Sequence, residues 1–190
     1  MTATGSGDGA EGAIQVRPLA AVDAVAVRSF FGRVPESDRT FFREDVLADR
    51  TLAGWLDDRQ SRRWAAVDGD DVVGYVAVLP GVGWSAHVGE LRIVVDPGRR
   101  RRGIGQLLAR HGLVESLGLG LTKIVVEIVA DQEALLAMFH ALGFEAEGLL
   151  RGHVKTGKGE LHDLLVLSHS VDDTWSGMAT VGIDDELGGR

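Results

Sequence analysis

Apolar residues alternate with polar ones along some stretches of this chain and recur every three to four residues along others, and the changes of period mark its elements. "AIQVRPL" reads as a short strand. Residues 20 to 32 and 40 to 58 carry helical spacing, with Phe42 to Val46 and Leu52 to Leu56 at i, i+4. "RRWAAVDGDDVVGYVAVLP" is two alternating runs around an Asp-Gly-Asp-Asp turn, a hairpin signal. "HVGELRIVVDP" puts Leu91, Ile93 and Val95 on one strand face and stops at Pro97. From Gly103 the period lengthens again, with Ile104, Leu107, Leu108, Val114 and Leu117 forming a helical stripe that closes near Gly118 and Gly120. "TKIVVEIVA" is apolar enough for a strand covered on both faces. Asp131 is placed to cap a further helix with Leu135, Met138, Phe139 and Leu142 on its inner face and Gly143 at its end. Two closing strands follow, near 144 to 155 and 159 to 169. The pattern predicts an α/β (α+β) layered domain around a strand, helix, strand crossover that is parallel and right-handed.

Composition narrows this picture. With 190 residues the chain suits one domain with a core of its own. Residues 1–12, rich in Gly, Ser and Asp, read as a flexible tail, 13–170 as the folded domain, and 171–190 as an acidic, partly ordered tail anchored at most by Trp175 and Met178. There is no cysteine, hence no disulfide framework or thiolate metal site, and a cytoplasmic location is expected. No secretory leader pattern opens the sequence, and no apolar run approaches the ~20 residues of a membrane span. Twenty Lys and Arg against twenty-eight Asp and Glu give a net charge of -8. A nucleic-acid polyanion meets net repulsion from such a chain outside one basic cluster, "DPGRRRRGIGQLL" at 96 to 108.

That cluster lies between a strand end and a helix start. Helix N-termini expose unpaired N–H groups, and Gly103 and Gly105 leave the backbone open to an anion. Arginines beside such a turn add charge-assisted contacts worth ~1.5 to 3 kcal/mol each, and four of them together repel one another unless an anion is present. A P-loop is excluded, because Ile104 and Gly105 stand where Lys and Ser or Thr belong. A dinucleotide fingerprint fails as well, although Glu127 lies at a suitable distance: Leu108 replaces the third glycine, and Asp96 to Arg102 separate the glycines from the strand. A tight strand-to-helix turn without ligand is the remaining alternative for the two glycines.

Arg100-Arg101-Arg102-Gly103-Ile104-Gly105 fits a [Q/R]-x-x-G-x-[G/A] signature. With "LRIVVDP" before it and "MFHALGF" after it, the chain resembles the GNAT superfamily of acyl-CoA-dependent N-acyltransferases over residues 14 to 169, most strongly from 87 to 145. The resemblance implies a mixed central sheet of about six to seven strands flanked by about four helices, in which a splayed parallel strand pair holds the cofactor. It implies that backbone at Ile93, Val94 and Val95 pairs with the pantetheine arm. The loop and helix start at Arg100, Arg101, Arg102, Gly103, Ile104, Gly105 and Gln106 would cradle the pyrophosphate, with Gln132 and Phe139 also against the cofactor. The implied reaction is direct attack of a primary amine, on a small molecule or a protein, on acetyl-CoA within a ternary complex, without a metal. A homodimer is compatible with this reading.

An alkylamine with pKa near ~10.4 must lose a proton at a cost above about 4 kcal/mol at neutral pH, whereas a thiol with pKa about 8.5 leaves readily as thiolate. A base, or desolvation of the amine, is therefore needed more than an acid. Glu90, in the neighbourhood where several GNAT enzymes place a catalytic glutamate, is the first candidate; its alternative is an ordinary ion pair with Arg92. Glu127, a carboxylate in an apolar strand, is the second, with a structural hydrogen-bonding role as its alternative. His87 is a further proton relay candidate. Many family members carry a Tyr as general acid five residues before the Phe of "GF"; here that residue is Phe139, which has no proton to give, and the only tyrosine, Tyr75, is on another strand. This departure keeps a second function open, a non-catalytic acyl-CoA-binding module. "GWSAH" lacks the final glycine and the strand-to-helix order of a serine elbow, and His87 and Glu90, at H-x-x-E spacing, find no third metal ligand.

Overall fold

The computed structural model describes residues 13–39, 42 and 44–171. The expected tails lie outside these residues, Trp175 and Met178 included, except for Val171, which is buried and bonds the Thr122 carbonyl at 3.0 Å through its N–H. Strands β1 (Gln15–Pro18), β2 (Arg62–Asp68), β3 (Asp71–Pro80), β4 (Val88–Val95), β5 (Lys123–Val129), β6 (Glu145–Lys155) and β7 (Leu161–Ser170) form one sheet in the order β1-β2-β3-β4-β5-β7-β6. Helices α1 (Ala24–Arg33), α2 (Glu36–Arg39) and α3 (Asp49–Asp57) precede β2; α4 (Ile104–Gly118) and α5 (Glu133–Ala141) flank β5. This is the mixed sheet with flanking helices that the sequence pattern and the resemblance implied. Among the described residues no helix is long and apolar enough to cross a membrane.

Alternation decides which face each strand residue joins. Leu91, Ile124, Val126, Ile128 and Leu167 meet Ile104, Leu108 and Leu113 of α4 and Phe139 of α5 on one face. Tyr75, Ala77 and Val94 meet Phe30, Phe31, Phe42 and Trp55 on the other. Phe31 is the hub of that second core, with ring contacts to Phe30, Phe42, Trp55 and Tyr75 at 5.0 to 5.7 Å. Such pairs contribute about 0.5–1.5 kcal/mol each beyond the area they bury.

The pairing between β4 and β5 positions the site. They are parallel neighbours only at Val88–Lys123, Gly89–Ile124 and Glu90–Val125. Beyond Glu90, β4 stays with β3 as far as Val95, and β5 stays with β7 as far as Val129. The sheet therefore splits at the Glu90–Val125 step. β5 is buried on its Ile124, Val126 and Ile128 face, whereas Val125 and Glu127 on the other face are only half-buried, which revises the expectation of cover on both sides.

Local chemistry accounts for three further departures. The helix expected over 40–58 is confined to Asp49–Asp57, because Asp45 draws the Leu47 N–H onto its side chain at 3.0 Å and the Ala48 N–H onto its carbonyl, a turn in place of helix. Phe42 and Val46 are buried all the same. On α4, Leu107 is 42% exposed; Ala109, Gly112, Leu113 and Ser116 carry the inner face instead. Small residues are needed there because a Cβ on Gly112 would stand 2.4 Å from Leu91 Cδ1. Finally, Gln132 rather than Asp131 is the N-cap of α5, and the Asp131 carboxylate lies 3.5 Å from His162 Nδ1.

Candidate active site

The loop from β4 to α4 is built by its own sequence. Asp96 accepts the Gly98 N–H at 2.9 Å and thereby caps a turn of 3-10 helix that Pro97, with no N–H to lose, begins. Arg33 of α1 holds the same carboxylate at 2.7 Å and the Val72 carbonyl at 3.0 Å, so the loop is tied to the helix layer. Arg101 then takes a left-handed conformation at φ 62 and Gly103 another at φ 80. For a residue with a Cβ this costs roughly 1–2 kcal/mol. Gly103 is the N-cap of α4, with no side chain closing it. The first amides of α4 therefore point outward without an intrahelical acceptor, and alternating backbone conformations of this kind make an anion-binding concavity.

These amides open onto a cleft of about 790 Å³ that occupies the split between β4 and β5. Of the residues that sequence reasoning singled out for the cofactor, Ile93, Val94, Val95, Arg100, Arg101, Gly103, Ile104, Gly105, Gln106, Gln132 and Phe139 line it, and Arg102 does not. Gly105 lies close to α5, where a Cβ would stand 3.3 Å from Met138 Sδ and the methionine would have to shift by a few tenths of an ångström; around Gly103 there is open space where a side chain would stand. A cleft with a bare helix terminus at one end and an unpaired stretch of β4 along one wall fits a long ligand that carries a diphosphate at one end and an extended amide-containing arm. Coenzyme A has that composition.

The arginine run is not four equivalent charges. Arg99 pairs with Asp68 at 2.9 Å, and Arg100 forms an ion pair with Asp38 of α2. Mutual repulsion, expected from the sequence to demand an anion, is thus relieved in part by the chain's own carboxylates. Arg101 and Arg102 are exposed.

Both candidate bases line the cleft. Glu90 stands at the last paired step, held by Arg92 through Nε at 2.6 Å and Nη2 at 3.3 Å. The ion pair weighed as its alternative role is therefore present. Glu127, half-buried on β5 opposite Val166 of β7, shares the sheet face of Glu90 on the far side of the split. His87 is exposed in the loop before β4, where its carbonyl accepts from Thr122 at 2.9 Å. Tyr75 is 1% exposed and stacked on Trp55 at 5.0 Å; burial pushes its hydroxyl far above the usual phenol value, and it is not part of the cleft wall. Phe139 packs edge-on against Phe144 at 4.9 Å. Phe42, one of the aromatic residues that the sequence offered as either pocket-lining or packing, stands in the wall; sequence reasoning missed Asp38 in the wall and Glu44 behind it, which bonds Arg92 at 3.1 Å and the Trp55 indole at 3.2 Å.

A model of the acetyltransferase (GNAT) family matches residues 23–144, which take in α1, the hairpin, the split strands, the glycine-capped helix and α5. The chain belongs to that family. Mycothiol acetyltransferase of Mycobacteroides abscessus is 34% identical over 146 residues, 67% of this chain and 48% of that protein. The [ribosomal protein bS18]-alanine N-acetyltransferase of Salmonella typhimurium is 30% identical over 76 residues, 40% of this chain and 51% of that one. The chain thus spans about half the length of these curated relatives, or less. Among solved GNAT-like structures, Salmonella typhimurium yncA with its cofactor acetyl-CoA superposes with a TM-score of 0.73 at 17% identity, covering 85% of this chain and 96% of that one. The ribosomal-protein-alanine N-acetyltransferase of Brucella melitensis gives 0.72 at 22% identity, with coverages of 82% and 99%.

Proposed function

We propose that this GNAT chain transfers the acetyl group of acetyl-CoA to a primary amine by direct attack in a ternary complex. The observation that carries the reading is the split between β4 and β5 with the uncapped α4 terminus at its mouth. Acetyl-CoA supplies an activated acyl group and a good thiolate leaving group; the chain supplies everything else. The amides from Arg101 to Gln106 hold the diphosphate, and the edge of β4 at Ile93 to Val95, where β5 has drawn away, offers hydrogen-bonding backbone to the pantetheine arm. Gln132 and Phe139 line the opposite wall. Glu90, at the apex of the split, takes a proton from the acceptor's ammonium so that the neutral amine attacks the thioester carbonyl and the thiolate leaves, with Glu127 as the alternative proton acceptor. The acceptor enters on the face that carries α1 to α3, and the net charge of -8 favours a cationic amine, on a small molecule or a protein.

Incubation with acetyl-CoA and a panel of amines, read out by thiol release, tests this. Turnover with at least one amine, abolished by boiling, is the expected result. A second reading, an acyl-CoA-binding module without turnover, is favoured by one observation: Phe139 has no proton for a leaving thiolate. It predicts that acetyl-CoA protects the protein against heat while no amine is acetylated.

A further inference from the structure

A chain of polar contacts runs from the apex of the split into the helices on the α1–α3 face. Arg92 follows Glu90 by two positions on β4, so both side chains leave the same face of the sheet. Its Nε and Nη2 grip the two oxygens of Glu90 at 2.6 and 3.3 Å, and its remaining Nη1 reaches Glu44 Oε2 at 3.1 Å. Glu44 is fixed in turn by the Trp55 indole N–H at 3.2 Å, and the Trp55 ring stacks with Tyr75 at 5.0 Å and carries the Arg63 guanidinium at 5.4 Å. The Arg92 side chain is 12% exposed, against 25% for Glu90 and 33% for Glu44. A guanidinium that has given up this much water is held by its acceptors, and a planar fork satisfied on both sides has one orientation rather than many.

We propose that Arg92 is the positioning residue of the site: it fixes the direction of the Glu90 carboxylate at the strand split and is itself anchored through Glu44 to the segment that leads into α3. This rests on the reading of Glu90 as the base. It gives the ion pair a task that charge alone does not perform. A lysine at position 92 keeps the charge but has no two-point fork and cannot hold both Glu90 oxygens while also reaching Glu44. Glu127 across the split shares the face but belongs to another strand.

The test compares wild type with Arg92→Lys, Arg92→Ala, Glu44→Gln, Glu90→Gln and the Glu90→Gln/Arg92→Lys double variant. Each is measured for acetyl transfer to an amine that supports turnover, for CoA binding by calorimetry and for melting. Misorientation of a catalytic group costs on the order of 10- to 100-fold, so Arg92→Lys is expected to lower kcat by about that factor with KM for acetyl-CoA and CoA binding unchanged. Glu44→Gln lowers kcat less, Arg92→Lys adds nothing once Glu90 is Gln, and millimolar guanidinium ion restores part of the Arg92→Ala loss. Wild-type kcat in Arg92→Lys, or losses that multiply in the double variant, overturns the proposal while leaving Glu90 as base. Wild-type kcat in Glu90→Gln, or no turnover with any amine, overturns the underlying reading and the proposal with it.

Discussion

Asp96 offers a perturbation whose cost is legible in its contacts. Its carboxylate caps the turn after β4 by accepting the Gly98 N–H at 2.9 Å and takes the Arg33 guanidinium at 2.7 Å. Loss of a side-chain cap costs about 1 kcal/mol. The ion pair joins side chains 42% and 11% exposed, so solvent screens it in part and about 1 kcal/mol is a suitable figure. Asp96→Ala is therefore expected to cost about 2 kcal/mol, which for a domain of this size lowers the melting temperature by about 4–8 °C. Asp96→Asn keeps an acceptor for Gly98 and loses only the ionic part, so it should show about half that drop. The same substitution loosens the start of the cradle, and CoA affinity should fall in the same order, alanine below asparagine below wild type. Thermal melting by circular dichroism and calorimetric titration with CoA provide the two readouts. An Asp96→Ala protein that melts with wild type, or an asparagine variant as damaged as the alanine one, refutes the assignment of a cap plus an ion pair.

Other substitutions probe different links. Gly74→Val should destabilise the fold by about 1–3 kcal/mol and weaken CoA binding, because a Cβ there meets Leu108 Cδ1 at 2.8 Å, Ile104 Cγ2 at 3.2 Å and Ala66 Cβ at 3.3 Å, beneath the first turn of α4; urea denaturation and calorimetry check both. Phe139→Tyr supplies a phenol where the chain has none, and if departure of the thiolate limits the rate, kcat should rise without a change in KM for acetyl-CoA, whereas an unchanged or lower kcat shows that it leaves unaided. Acid stability should decline in two steps, followed by the urea midpoint against pH. Burial lowers the His111 pKa against the pull of Glu115, so the unfolded chain takes up that proton first and stability begins to fall below about pH 6.5. The Asp23 carboxyl is held low by its bonds from Arg17, and that of Asp58 is held low because hydrogen bonds from Ser61, Arg63 and Gln60 outweigh its burial; their contribution is complete above about pH 4 and is lost as pH falls through their depressed values. Replacement of His111 by Gln should remove the first step alone.

What the sequence disclosed was local. The hairpin over 62–80 was legible because alternation and a turn needing a left-handed Gly69 lie within twenty residues of one another. The start of α4 was legible because Gly103 takes a left-handed conformation that few other residues adopt and Gly105 keeps its side-chain space clear beside Met138, and most of the predicted cofactor residues lie around the same cleft. What stayed hidden depends on partners far away in the chain. No periodicity announces that Arg100 will be met by Asp38 or Arg99 by Asp68. Nor does spacing reveal that Glu44 will bridge Arg92 and Trp55, three residues from three separate segments. The broken helix over 40–58 turned on competition for two N–H groups by Asp45, which apolar spacing does not register. Leu107 shows the limit of a stripe drawn from hydrophobicity alone, since the inner face of α4 went to the small residues that let the helix approach Leu91 and Val76.

The central claim is that the backbone amides released by Gly103 and Gly105 bind the diphosphate of coenzyme A. The direct measurement is calorimetric titration of the wild type and of a Gly103→Val/Gly105→Val variant with CoA and, separately, with pantetheine, which lacks the diphosphate and the adenosine 3′-phosphate beyond it, the variant isolating the part that the loop amides hold. Two charge-assisted bonds at about 1.5 kcal/mol or more each correspond to a preference of at least about 100-fold, so the wild type should bind CoA tighter than pantetheine by that margin, and the folded variant should lose that margin. Equal affinity of the wild type for the two ligands, or a preference that survives undiminished in the variant, contradicts the account.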